Sequence, residues 1–125
     1  MKRYFLDSHL LPAGFVYPSD FVDFAASGLE ENLKPWRFLW ADEPEFLLMG
    51  LKLRYPTRAL VPFARRIGSD DVACFQLNGG NTEVALIHDF AEPGWELRGT
   101  LPMFINWLTL ARAEAAESIE EEDDD

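Results

Sequence analysis

Seven side chains could concentrate chemistry at one place: Asp70, Asp71, His88, Asp89 and Glu92, with Arg65 and Arg66 alongside. Their carboxylates are hard oxygen donors of the kind that hold a divalent cation. Beside Trp95 the same charges would make an edge for a protein partner, since tryptophan is common at interface centres. Turn chemistry is the simplest account: acids that follow Gly68-Ser69 cap backbone amides, and the two arginines neutralise the rest. Cys74 and His88 are a further pair, a thiol and a base on adjacent strands. A thiol inside an apolar strand has a raised pKa and no access to substrate, so Cys74 reads as buried and inert. There is no nucleophile elbow, phosphate-binding loop, H-E-x-x-H or glycine-rich dinucleotide turn. The expectation is therefore no enzyme, no cofactor and no metal.

What gathers those charges is the stretch from Leu60 to Phe90, LVPFARRIGSDDVACFQLNGGNTEVALIHDF. β-Branched and aromatic residues cluster there between turn formers, which predicts strands over Ala59–Arg65, Val72–Leu77 and Glu83–His88. Asn78-Gly79-Gly80-Asn81 is a tight hairpin signal, whereas Ile67-Gly68-Ser69-Asp70-Asp71 is a longer, acidic connection. Direction alternates in such a meander. The acidic connection and the segment after His88 therefore emerge at one end of the sheet, and the glycine hairpin at the other. Ala73, Phe75 and Leu77 fall on one face and Val72, Cys74 and Gln76 on the other; Val84 and Leu86 likewise oppose Glu83, Ala85 and Ile87. Neither face is strongly polar, which suits a sheet covered on both sides.

The flanking elements are helical. Pro18-Ser19-Asp20 opens a short amphipathic helix with Phe21, Val22 and Ala25 as its stripe and Gly28 at its C-terminal cap, and Asp20 and Asp23 suit its dipole. Ahead of it Leu10, Leu11, Phe15 and Val16 cover one side of the core. Trp36–Trp40 reads as a strand started by Pro35, its tryptophans as packing rather than recognition. Asp42-Glu43-Pro44-Glu45 resembles a helix N-terminus ahead of Phe46, Leu47, Met49, Gly50 and Leu53. A strand competes, because Leu51, Leu53 and Tyr55 alternate with Lys52 and Arg54. Asp89–Arg98 reads as loop. Thr100 is an N-cap candidate for a long helix to about Glu117, with Leu101, Phe104, Ile105, Leu108, Ala111 and Ala115 on its buried face and Trp107 packing near the margin.

At 125 residues the chain is one domain with room for a real core, and ten Phe and four Trp point to an aromatic one. The formal charge of −11 belongs mostly to the end: seven of the 22 acids lie at or after Glu117 with no base among them. Residues 1–116 carry only −4. The expectation is a single domain over 1–116 and a disordered acidic tail over 117–125. A basic footprint for nucleic acid is missing, and a basic protein partner suits the acidity better. Lys2 and Arg3 precede an apolar run that Asp7, Ser8 and His9 interrupt, and no later run is long enough for a membrane span. One cysteine excludes a disulfide framework. These features suit a cytoplasmic protein.

A family resemblance adds to this reading. Tyr17-Pro18-Ser19-Asp20-Phe21 opening a helix after an early Leu-Pro, then Tyr55-Pro56, Leu60-Val61-Pro62-Phe63-Ala64, a Gly-x-Asp-type turn at Gly68-Ser69-Asp70, a hairpin, and a last helix entered through Phe104 and Trp107-Leu108 together resemble the SUKH superfamily, over most of residues 10–116. The resemblance implies an α+β domain: a bent, mainly antiparallel sheet with a central three-strand meander, flanked by a short N-terminal and a long C-terminal helix. It implies a non-catalytic role. Bacterial members look chiefly like immunity proteins that neutralise a cognate toxin, often a nuclease, and eukaryotic members resemble scaffold or regulatory modules. This chain departs in the extra serine and aspartate of the Gly-Asp turn and in its acidic tail. The resulting expectation is an immunity-type protein whose Asp70, Asp71, Asp89, Glu92 and Trp95 edge meets a basic toxin domain. A general interaction module stands second, and a small metal-binding protein or enzyme last.

Overall fold

The computed structural model describes residues 5–27 and 31–123. Its elements in chain order are a 3-10 turn at Ser8–Leu10, α1 (Ser19–Ala25), β1 (Trp36–Phe38), α2 (Glu43–Arg54), β2 (Leu60–Arg66), β3 (Asp71–Asn78), β4 (Asn81–His88), β5 (Leu97–Leu101) and α3 (Phe104–Asp123). The five strands form one sheet in the order β1-β2-β3-β4-β5, every neighbouring pair antiparallel. The predicted α+β class and central meander are therefore present. Gly79, at a φ of 64° that a glycine adopts without cost, lets a two-residue turn join β3 to β4 with Asn78 opposite Asn81. Pro62 sits in the interior strand β2 where a sheet tolerates a missing donor. It is beyond β1, which pairs only with Ala64, Arg65 and Arg66, and beside an irregularity between Pro62 and Ala64.

Alternation along β3 and β4 sends side chains to two cores, as expected. On one face Phe21 of α1, Phe63 and Phe75 of the sheet, and Phe104 and Trp107 of α3 pack together. Phe63 stacks on Phe75 with ring centroids 4.4 Å apart, and Trp107 meets Phe63 edge-on at 4.9 Å. Such pairs contribute about 0.5–1.5 kcal/mol each beyond the area they bury. On the other face Leu51 and Tyr55, from α2 and its end, cover Leu60, Val72, Cys74, Ala85 and Ile87.

Several expectations are corrected. Part of the predicted Asp89–Arg98 loop, with Thr100, belongs to β5; Thr100 pairs with Ala85 and caps no helix. β5 is a short edge strand with Gly99 inside it and an irregular register, so it lacks the period-2 pattern that would reveal it. Because α3 starts at Phe104, its buried arc is turned: Trp107 is fully buried at the centre, Leu101 packs from β5, and Ile105 is exposed. Residues 117–123, expected as disordered tail, continue α3 to Asp123. Glutamate is a good helix former, and neither Gly nor Pro interrupts the run from Ala113. The segment after Pro44 is helix, not strand, and α1 spans two turns with Val22 exposed. Val16 is exposed too, although Leu10, Leu11 and Phe15 pack as expected. The Gly28 cap lies outside the described residues, as do Lys2 and Arg3. Among the described residues no helix is long and apolar enough to cross a membrane.

Candidate functional site

α2 builds one wall of the site. Glu43, Pro44 and Glu45 occupy its first turn and Lys52 and Arg54 its last, an order that suits the helix dipole. The Glu43 carboxylate accepts both Arg37 guanidinium nitrogens, at 2.9 and 2.6 Å, and the Trp40 amide at 3.2 Å. That Arg37 bond holds the Glu43 carboxyl below the usual range, and it ties the start of α2 to β1. Pro44, Leu48 and Leu51 are the buried side of the helix. The opposite side is apolar too: Phe46, Met49 and Leu53, at i, i+3 and i+7, are 80%, 60% and 84% exposed.

The other wall comes from the sheet end that collects the β2–β3 turn and the end of β4. Asp71 lies opposite His88 in the ladder, and His88 Nδ1 is 2.7 Å from the Asp71 carboxylate. The Asp89 amide donates to the Asp70 carbonyl at 2.9 Å, holding the two connections side by side. Asp89 is 2% exposed. Its carboxylate accepts Arg54 Nε and Nη2, both at 2.6 Å, and the Phe90 amide at 2.9 Å. The same Arg54 guanidinium lies 4.0 Å over the Phe90 ring. Phe90 has φ 67°, the left-handed region that an aromatic residue enters at a cost. One arginine on α2 thus secures a buried acid and a strained, exposed phenylalanine on the far wall.

Between the walls lies an open cleft of about 650 Å³. Its lining carries five carboxylates (Asp42, Glu43, Asp70, Asp71, Asp89) and two guanidiniums (Arg54, Arg65), with Phe46, Met49, Leu53 and Phe90 as its apolar surface. Neither histidine nor cysteine lines it. Among the described residues no group of three or more His, Cys, Asp or Glu side chains is placed to hold a metal ion. Cys74 is fully buried in the α2-side core, and burial pushes its thiol well up from the ordinary range.

The sequence-predicted edge is partly gathered here. Asp70 lines the cleft as an exposed acid and Asp71 as a half-buried one beside His88, while Asp89 lines it from beneath, its carboxylate committed to Arg54. Asp89 thereby anchors Arg54 and the Phe90 amide in the wall of the cleft. Glu92 and Trp95 stand exposed on the following loop, outside the lining. The expected neutralising arginines part company, because successive strand residues point to opposite faces. Arg65 faces the cleft, whereas Arg66 pairs with Glu114 of α3, which also accepts from Trp36 Nε1. Sequence reasoning missed Phe90, Arg54 and the outward stripe of α2; the 46/49/53 spacing was the available signal.

A second buried ion pair braces the loop that leads out of the site. Glu96, 4% exposed, accepts Arg58 Nε at 2.8 Å and the Gly94 amide at 2.6 Å, while Arg58 Nη1 donates to Gln76 at 2.9 Å. Burial alone would raise the Glu96 carboxyl, but the Gly94 amide and Arg58 outweigh it and hold it below the usual range. Tyr55 completes the brace by donating to the Ala91 carbonyl at 2.8 Å.

Fold and site together define an α+β domain with an apolar cleft, an acidic rim and two buried arginine–carboxylate anchors. Comparison of the chain with protein-family models, curated proteins and solved structures finds no match.

Proposed function

We propose that this chain is a non-catalytic protein-binding domain, an immunity-type protein of the cytoplasm that neutralises a toxin by covering its surface. The observation that carries the reading is the cleft. Four large apolar side chains stand exposed around it, where small folded domains rarely leave such surface uncovered unless something binds there. The carboxylates of its rim suit a basic partner, as a nuclease-type toxin would be, and argue against nucleic acid as ligand. The SUKH resemblance supports the immunity reading. A regulatory or scaffold module using the same cleft is the second reading, favoured by the mild −4 of residues 1–116.

The test is affinity capture from the native host with the tagged chain and with a Phe46→Glu/Leu53→Glu variant. The proposal expects a stoichiometric protein partner that the variant loses. That partner should arrest growth when expressed alone and be harmless when co-expressed with the chain. A harmless partner moves the assignment to the scaffold reading; equal capture by the variant removes the cleft from the function.

A further inference from the structure

We infer that the cleft takes a basic amphipathic helix of the partner protein. This deepens the protein-binding reading and rests on it. The α2 stripe of Phe46, Met49 and Leu53 runs for two turns, about 10 Å at 1.5 Å per residue, and Phe90 closes it from the other wall. A groove of that form is filled by side chains recurring at i, i+3, i+4 and i+7 on a second helix. An extended peptide that bound by adding a strand would need an open edge to pair with. The strands that reach the cleft, β2 through Arg65 and β3 through Val72, both have neighbours on each side, so neither offers one.

Charge decides between a foreign helix and a second copy of this chain. Of the five carboxylates in the lining Asp89 is paired with Arg54 and Glu43 with Arg37, which leaves Asp42, Asp70 and Asp71 against the single guanidinium of Arg65. Two copies meeting through this face would bring like charges together as their apolar surfaces closed, whereas lysines flanking an apolar stripe meet the rim with opposite sign. Asp70 and Asp71 bring that charge from the wall facing the stripe and Asp42 from the N-terminal end of α2.

The probe is a labelled peptide of about 20 residues, long enough to be helical, with leucine at i, i+3, i+4 and i+7 and lysine elsewhere. A scrambled peptide of the same composition and a glutamate-for-lysine version are its comparisons, all read by fluorescence anisotropy. The expected result is binding of the lysine helix at least about tenfold tighter than the scrambled peptide, and no binding of the glutamate version. Phe46→Ser/Leu53→Ser should weaken it by about a hundredfold, the loss of two anchors at roughly tenfold each. Asp42→Asn/Asp70→Asn should weaken it about tenfold at low salt and less as salt rises. Val16→Ser, at an exposed apolar residue outside the cleft, should change nothing. All these positions are exposed, and an unchanged thermal midpoint confirms that each variant folds.

Equal affinity for the scrambled peptide, or indifference to the Phe46/Leu53 pair, would overturn the proposal. So would self-association in sedimentation that those two serines abolish, since the occupant would then be a second copy. If capture from the host depends on Phe46 and Leu53 while the peptide fails to bind, the helix is wrong and the protein-binding reading stands. If capture is indifferent to them as well, both fall.

Discussion

Removing Arg54 should show how much of the site rests on one side chain. In Arg54→Met the Asp89 carboxylate, with 3% of its side chain exposed, keeps the Phe90 amide and loses two charge-assisted bonds at 2.6 Å. Breaking a buried pair from one side costs about 3–5 kcal/mol, mostly the penalty of the charge left behind. The Arg54 side is 29% exposed, so water can reach the vacated space and the low end applies, about 3 kcal/mol. For a chain of this length that is a fall in thermal midpoint of about 12 °C. Asp89→Leu should cost less, about 1–2 kcal/mol, because Arg54 can turn to solvent while the Phe90 amide loses its acceptor. The double variant Arg54→Met/Asp89→Leu leaves no uncompensated charge. Urea unfolding followed by circular dichroism should find it less destabilised than the two singles added together, by about 2 kcal/mol. Additive singles, or an Arg54→Met variant within about 0.5 kcal/mol of wild type, would refute the claim that this pair anchors the far wall.

Phe90→Gly should leave stability equal or raise it by up to about 1 kcal/mol, because relief of the left-handed backbone outweighs the lost Arg54 stacking; partner or peptide binding should fall, and a chemical denaturation curve beside a binding isotherm checks both. Glu96 and Glu43 are held below the ordinary 4.5 in the folded chain, so their stabilisation is complete above that value and is lost as pH falls through the depressed one. The urea midpoint should therefore hold above about pH 5 and drop as the pH is lowered from there, and Glu96→Gln should shrink that drop. Cys74, buried and with its thiol pushed up, should resist thiol reagents in the native state and label only as fast as the chain unfolds, a rate followed by absorbance.

The meander, both sheet faces and the long last helix were legible because each rests on a local period: two along β3 and β4, 3.6 along α3. Placing Asp70 beside Asp89 needed only the parity of three strands. Legibility failed where the deciding contact is remote. Arg54 and Asp89 are 35 residues apart, and nothing near either predicts that the acid will be buried rather than offered to solvent. Phe90 carries no cue for a positive φ, a conformation that sequence reading assigns to Gly or Asn. The displacement of Trp107 from margin to centre follows from one error, the start of α3: moving it from Thr100 to Phe104 turns the buried arc onto Phe104, Trp107, Leu108, Ala111 and Ala115.

α2 is the instructive case, because its sequence is apolar nearly all round and either side could have faced inward. The sheet face beneath it, Leu60, Val72, Cys74, Ala85 and Ile87, is covered by Leu51 with Tyr55. Phe46, Met49 and Leu53 lie on the opposite side of the helix and stay exposed. Exposing them and holding Phe90 in a strained backbone both lower stability, and both occur on the two walls of one cleft. A single polar residue at position 46 or 53, or a glycine at 90, would remove each. Their meeting at one site, braced by Arg54 from beneath, is the observation on which the proposed contact with another macromolecule rests.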